Sequence, residues 1–406
     1  MKKLFKLSPV SAKRWERFKA NRRAFVCLII FVTFTLMTFC AELFINSRAL
    51  MVKYNGETYF PVFSEVRYGK DFGLDYEHET DYRELQKKFE EEGGDNWVLM
   101  PLVPYSPKDD DPIDQEPHDL IIVEIEKEYL AKIEAAEKAE TNEADKKNII
   151  SDLRVEMIDK MGDEAQKKYH PLPPSKDHWL GTDKNGYDIL SRIVYGYRVA
   201  ITFSLLLLLI TYSVGMIIGC LMGYWGGWFD LITQRIIEIF SNIPFLYVAI
   251  IVASILIDNK IQMGFWALLS IFAVFGWMGI TWYMRTATYK EREREYIMAA
   301  KAMGASDMRI LVNHLLPHMV SLLVTFVPFA VSGTIISLTA LDYLGYGLPK
   351  GDPSWGELIQ QGTLNMEAFW IVTSVVTAMV IMLFLINSIG EGVREAFDPK
   401  KISKYE

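Results

Sequence analysis

Cysteine is scarce in this sequence: three in 406 residues. Cys27, Cys40 and Cys220 all lie in apolar runs, so no disulfide framework supports the large polar stretch between them. The phosphate-cradling pattern G-x-x-x-x-G-K-[ST] is missing, so any use of ATP requires a separate nucleotide-binding subunit. No nucleophile turn is present, which argues against Ser/His/Asp acyl chemistry. His314 and His318 have the i,i+4 spacing of a zinc pair, but Pro317 intervenes and no nearby Asp, Glu or Cys offers a third ligand. No metal, other cofactor or catalytic residue is therefore expected. The first apolar run is too long for a signal-peptide core and no small-x-small cleavage site follows it, so it reads as a retained span.

What the sequence has in quantity is apolar length. Half of its residues are hydrophobic, and about six runs approach the length needed to cross a bilayer. The expected fold class is an all-α polytopic membrane protein of six transmembrane helices in contact with lipid. The net charge of -8 is unevenly spread. Between Ser47 and Tyr197 there are 34 acidic residues against 20 basic ones, so the remainder is net basic. A basic remainder is characteristic of membrane surfaces facing the cytoplasm. Neither nucleic acid nor an acidic substrate needs to be invoked.

Taken in order, residues 1–23 form a basic cytoplasmic segment. Lys2, Lys3, Lys6, Lys13, Arg14, Arg17, Lys19, Arg22 and Arg23 stand there against Glu16 alone. A first span follows in 24–46. A polar, extracytoplasmic, mixed α/β insertion occupies 47–197. It opens on an alternating stretch around Asn55-Gly56 that signals a hairpin. About Leu120–Met161 suits one or two exposed amphipathic helices. Asp109–Asp111 matches no calcium-loop spacing and reads as a solvated acidic loop. His170–Pro174 reads as an extended linker. An apolar core, 198–390, holds spans at about Val199–Met222, Leu231–Ile255, Met263–Met284, His318–Leu341 and Phe369–Ile389. Asn242 and Pro244 interrupt the second of these five. The tail, 391–406, carries Arg394, Lys400, Lys401 and Lys404. Six crossings place both termini in the cytoplasm, with the basic cluster Arg285, Lys290, Arg292 and Arg294 on the same side. Asn242, Ser332 and Asn387 are polar within spans, and isolated helix–helix hydrogen bonds account for them as well as a solute path does.

Three ordered stretches carry a resemblance. Glu295–Pro317, EYIMAAKAMGASDMRILVNHLLP, joins a short helix to another through Gly304 and resembles the EAA loop of bacterial ABC importer membrane subunits. His178–Arg198 resembles the signature before the second span in the peptide/nickel branch of those permeases, through Gly181, Thr182, Asp183, Gly186, Asp188, Ser191 and Arg192. Leu341–Leu358 resembles that branch's stretch between spans five and six, through Leu344, Gly345, Gly347, Pro353, Ser354, Trp355 and Gly356. The early NSRALMVKYNGETYFPVF and the long insertion are similar to permeases of an oligopeptide importer that also admits the peptide–nucleotide antibiotic microcin C.

The resemblance implies an ABC importer type I permease fold. It also implies a non-enzymatic role in moving oligopeptides or peptide-like compounds across a bacterial inner membrane. The implied partners are a second permease subunit, ATP-binding subunits that hydrolyse ATP, and an extracytoplasmic solute-binding protein. Dipeptides or nickel are the alternative cargo of the same branch. A membrane-anchored sensor is the competing reading, and the short cytoplasmic segments speak against it. By position, Ala299, Ala300 and Gly304 would form the close-contact core of an ATPase-coupling helix. Glu295, Lys301, Asp307 and Arg309 are inferred at its rim, and Leu316 and Pro317 close the motif. Met298 stands where the general pattern has Glu, and Tyr187 where the pre-span signature has Arg.

Overall fold

The computed structural model describes residues 9–108, 115–138, 143–169, 171–261, 263–349 and 351–398. The Asp109–Asp111 run, His170 and the terminal lysines Lys2, Lys3, Lys6, Lys400, Lys401 and Lys404 lie outside the described residues. The chain divides into two units. The first comprises Met1–Glu42, Ile193–Gln360 and Val375–Glu406; the second comprises Leu43–Arg192 and Gln361–Ser374.

Helix α1, Pro9–Ala20, leads into α2, Arg22–Phe39, whose first turn is capped by Asn21 accepting from the Ala24 N–H at 3.2 Å. Strands β1 (Met51–Tyr54) and β2 (Glu57–Tyr59) form the expected hairpin. Asn55 and Gly56 both take positive φ, 50° and 84°, as a two-residue turn with right-twisted strands requires. Helix α3, Tyr82–Glu92, is capped by Asp81 and followed by β3, Trp97–Leu99. The antiparallel sheet runs β2-β1-β3. Val52 from β1, Val98 from β3 and Tyr82, Leu85 and Phe89 from α3 bury together with Phe72 and Leu74. Each large apolar side chain so buried contributes about 1.5–3 kcal/mol.

Two long helices follow, α4 (Gln115–Lys138) and α5 (Glu143–Tyr169), and they pack together. Their contact is held by buried Tyr129, which donates to Glu156 at 3.0 Å. Lys132 and Lys160 lie over the Tyr129 ring.

The membrane-type helices are α6 (Ile189–Trp225), α7 (Gly227–Ser241), α8 (Phe245–Asp258) and α9 (Phe265–Arg292). After them come α10 (Glu295–Ala302), α11 (Asp307–Ile310), α12 (Leu316–Leu323), α13 (Val327–Tyr343), α14 (Trp355–Leu364) and α15 (Phe369–Phe397). Arg22–Phe39, Ile189–Trp225, Phe265–Arg292 and Met366–Phe397 are long and apolar enough to cross a membrane. Among the described residues, two bent pairs raise the total to as many as six if each pair is one span. The α7–α8 pair bends by 72° at Asn242–Pro244, where the sequence signals an interruption. The second pair bends by 60° between Leu323 and Val327, within what the sequence presents as one continuous span. There Pro328 opens α13 without an N–H to bond backwards, and the Thr325 hydroxyl takes the Leu322 carbonyl at 2.7 Å.

Glycines let α6 and α9 approach closely. A Cβ on Gly219 would lie 2.6 Å from the Thr281 carbonyl oxygen, and one on Gly223 the same distance from that of Arg285. Gly215 meets α9 in the same way, so a small residue every fourth position forms the contact. Nearby, the Arg285 guanidinium holds both oxygens of Asp230, which also accepts from the Tyr289 hydroxyl at 2.6 Å, tying α7 to α9. Ser332 donates to Asn387 at 3.2 Å, so these two intramembrane polar residues satisfy one another.

Candidate functional site

The three stretches singled out in the sequence do different physical work. In the second unit, the pre-span stretch builds a locked turn ahead of α6. The Asp183 carboxylate accepts from the Asn185 and Tyr187 N–H groups at 2.8 and 3.1 Å, while Gly186, at φ 84°, supplies the left-handed residue that closes the turn. Thr182 exchanges two hydrogen bonds with Leu172, through its N–H and its hydroxyl oxygen, pinning the proline-rich linker. Gly181 has no room for a side chain, because a Cβ would lie 2.5 Å from the Leu172 carbonyl oxygen. Asp188 caps α6 by accepting from the Ser191 N–H at 2.7 Å, and its other oxygen meets His178 Nδ1 at 2.9 Å.

At the centre Arg192 Nη1 donates to Asp183 at 2.7 Å with both side chains wholly buried. Burial pushes the Asp183 carboxyl above the usual carboxylate range, and the Arg192 charge opposes that. Tyr187, the departure from the family's Arg, lays its ring 5.1 Å from the Arg192 guanidinium.

In the first unit, the stretch after α13 is equally structural. Gly345, at φ 82°, ends α13: its N–H reaches the Asp342 carbonyl, and the Tyr346 N–H reaches that of Leu341. Leu344 is the residue that caps that helix. Asp342 then accepts from the Leu348 N–H at 2.8 Å and the Ser354 hydroxyl at 2.6 Å. A Cβ on Gly347 would collide with the Asp342 carboxylate, and one on Gly356 with the Thr339 carbonyl. Pro353, Ser354, Trp355 and Gly356 are all buried, and the Trp355 indole donates to the Ile193 carbonyl at 3.0 Å. Neither signature presents a cluster of reactive groups to solvent.

The third stretch does face outward. Arg292, at the end of α9, donates to the Gly223 and Tyr224 carbonyls at the end of α6 and fixes where the loop begins. Helix α10 buries Ile297 in a cluster with Ile310, Leu311 and Leu315, and Ala300 is buried on the same helix. It ends at Gly304, at φ 82°, with the Gly304 N–H on the Lys301 carbonyl and the Ala305 N–H on that of Ala300. Ser306 caps α11. The following turn, Leu311–Leu315, widens into a π-helix, since Pro317 can neither donate nor tolerate the carbonyl four residues back.

Of the residues expected in the close-contact core of the coupling helix, Ala300 is buried within the chain, on the same face of α10 as Ile297. Asp307, expected at a polar rim, already accepts from the Tyr224 hydroxyl at 2.6 Å. Glu295, Ala299, Lys301, Gly304, Arg309 and Pro317 are exposed, and Leu316 is half-buried. The outward face is rich in methionine: Met298, Met303 and Met308 are 52%, 82% and 61% exposed. In the sequence Met298 stands out only as the position where the general pattern has Glu. The signal available was the five-residue spacing of three methionines across a glycine turn.

Two further placements differ from what local sequence offers. Glu291, distant in sequence, lies 3.4 Å from His318 Nε2, giving that histidine a carboxylate partner. The glycine stripe on α6 is legible as a G-x-x-x-G pattern, but only the packing shows that α9 lies against it.

Residues 215–403 match the family described as the binding-protein-dependent transport system inner membrane component. Residues 11–56 match the N-terminal TM domain of oligopeptide transport permease C. The Inner membrane ABC transporter permease protein YejE of Escherichia coli is 36% identical over 398 residues, covering 98% of this chain and 99% of that one. The Peptidoglycan transport system permease protein YejE of Agrobacterium fabrum is 34% identical over 396 residues, covering 97% and 94%. A structure of the MetNI methionine ABC transporter in inward-facing conformations overlaps 51% of this chain and 97% of its own, with 20% identity and a TM-score of 0.44. The chain is a transporter permease subunit, not a catalytic enzyme, and it belongs to the binding-protein-dependent transport system inner membrane component family.

Proposed function

We propose that this chain is one of two permease subunits of an ATP-driven importer of oligopeptides or peptide-like compounds, microcin C-type conjugates among them. Its partners in this reading are a second permease, separate ATPase subunits and an extracytoplasmic solute-binding protein. Both termini and the Glu295–Pro317 element face the cytoplasm, and the 47–197 insertion faces outward. The names carried by the relatives, from oligopeptide to peptidoglycan transport, support peptide-class cargo.

The observation that carries the coupling role is the two-sided build of α10. Ile297 packs into the chain's own core and Ala300 is buried, while Met298 and Met303 face solvent. A helix held from behind passes displacement on to Ile310, Leu311 and Leu315, and so to α6 and α9, whose Cys220, Ile280 and Met284 share that cluster. Methionine side chains suit a surface that must stay in contact while the ATPases close and open, because they repack without strain. Transport is then a shift between inward-open and outward-open packings of the spans, driven by that movement.

The test is a Met303→Cys variant cross-linked in membranes, beside Gly304→Val assayed for uptake. The expected outcome is cross-linking to the ATPase subunit for the first. For the second it is lost uptake with normal membrane insertion, since a branched side chain at φ 82° costs about 1–2 kcal/mol and distorts the turn. Wild-type uptake by Gly304→Val, or no cross-link to any ATPase, would end the coupling reading.

A further inference from the structure

At the end of the first unit where α2 begins and α9 and α15 finish, the chain forms an open cavity of about 930 Å³. Six cationic side chains line it, Lys13, Arg14, Arg17, Lys290, Arg294 and Arg394, against two carboxylates. The carboxylate of Glu291 is already committed: it accepts from the Tyr296 hydroxyl at 2.9 Å and lies near Arg294 and His318. Arg14 donates to Ser321 at 3.3 Å and packs on the Phe397 ring. Among the described residues, Lys13, Arg17, Lys290 and Arg394 have no ion-pair partner. Besides Glu291 the lining holds one further carboxylate, Asp398, and four cations grouped around one cavity repel each other unless a further anion joins them.

The rest of the lining mixes apolar Ala287, Met319, Leu322 and Phe397 with the polar side chains of Ser321 and Thr325. A cavity whose lining joins several cations to apolar side chains and hydroxyls fits an anionic amphiphile better than a small hydrated ion. Helix α1 has the build of an interfacial helix: Trp15 is 41% exposed, with the Lys19 ammonium 5.2 Å from its ring. The next helix, α2, exposes Val26, Ile29 and Ile30, as a lipid-facing surface does. The cavity therefore lies where apolar helices meet basic ends, at headgroup level.

We propose that this cavity binds the phosphate of an anionic phospholipid headgroup, clamped between α1 and the basic ends of α9 and α15. The inference is independent of the solute transported and of the coupling role of α10.

The test uses native mass spectrometry of the full chain, purified in its transporter complex and stripped of lipid. Phosphatidylglycerol, cardiolipin, phosphatidylethanolamine or inorganic phosphate is then added back. The expected result is retention of the two anionic lipids, with phosphatidylethanolamine and inorganic phosphate binding far more weakly. The Lys13→Gln/Arg17→Gln/Arg394→Gln variant should lose on the order of 100-fold in affinity for the anionic lipids. The Lys13→Arg/Arg17→Lys/Arg394→Lys variant should keep it, which separates loss of charge from loss of fold. Three results would each overturn the proposal: equal lipid binding by the charge-neutral variant, inorganic phosphate displacing lipid at comparable affinity, or lipid excluded because an acidic protein partner covers these residues in the complex.

Discussion

Arg192 shows how much one side chain in the second unit holds. Its guanidinium pairs with Asp183, stacks on Tyr187 and sits at the start of α6, all without solvent. Removing one half of a buried pair strands the other, a cost of about 3–5 kcal/mol. Arg192→Ala should therefore lower the thermal unfolding temperature in detergent markedly. Arg192→Lys should rescue only part of that loss, because a compact ammonium that reaches Asp183 lacks the delocalised guanidinium that lies over the Tyr187 ring. The sequence marked Asp183 and Arg192 as members of one motif, but their pairing across nine residues needed the Gly186 turn to bring them face to face. Tyr187 looked like a lost cation; the fold makes it the surface against which the remaining cation lies.

Among the elements, the α6–α9 contact is the one whose chemistry is most local. Gly215, Gly219 and Gly223 repeat every four residues, so they share one helix face, and α9 rests its backbone on that face. Gly219→Leu should push the two helices apart at a cost of at least about 1–3 kcal/mol, read as a lower unfolding temperature and new tryptic cleavage. Gly279→Leu, where a side chain meets open space, should leave both unchanged. Helix α10 is legible in its existence and its glycine stop, but not in its rotation. Which of Ala299 and Ala300 faces out depends on where Ile310 and Leu311 pack, and those residues belong to the next turn of chain.

For the whole molecule, the division into two units separates the chain differently from its sequence order. The second unit takes Leu43–Arg192 but also Gln361–Ser374. Within it Gly181 lies against Trp370, and the Lys184 N–H reaches Gln361 Oε1 at 3.4 Å. A fragment spanning 43–192 alone should keep the sheet and α3, whose core is internal to it, and lose order in the turn before α6. Hydrogen exchange on that fragment should protect the Val52 amide and leave those of Thr182 to Asp188 fast. Equal protection at both places would mean that the 361–374 segment contributes nothing to the turn.

Sequence alone determined the properties set by short stretches of chain. Apolar runs matched to bilayer thickness give the membrane class, Asn55-Gly56 gives the hairpin, and Gly304 gives the helix stop. These follow from each residue's own solvation and backbone freedom, which change little with surroundings. Only the tertiary structure decided the inward turn of Ala300, the 60° bend before α13, the Glu291–His318 meeting and the gathering of Lys13, Arg17, Lys290 and Arg394 around one cavity. Each of those depends on which helix stands beside which, and burial and electrostatics between distant segments act only once the packing has brought them together.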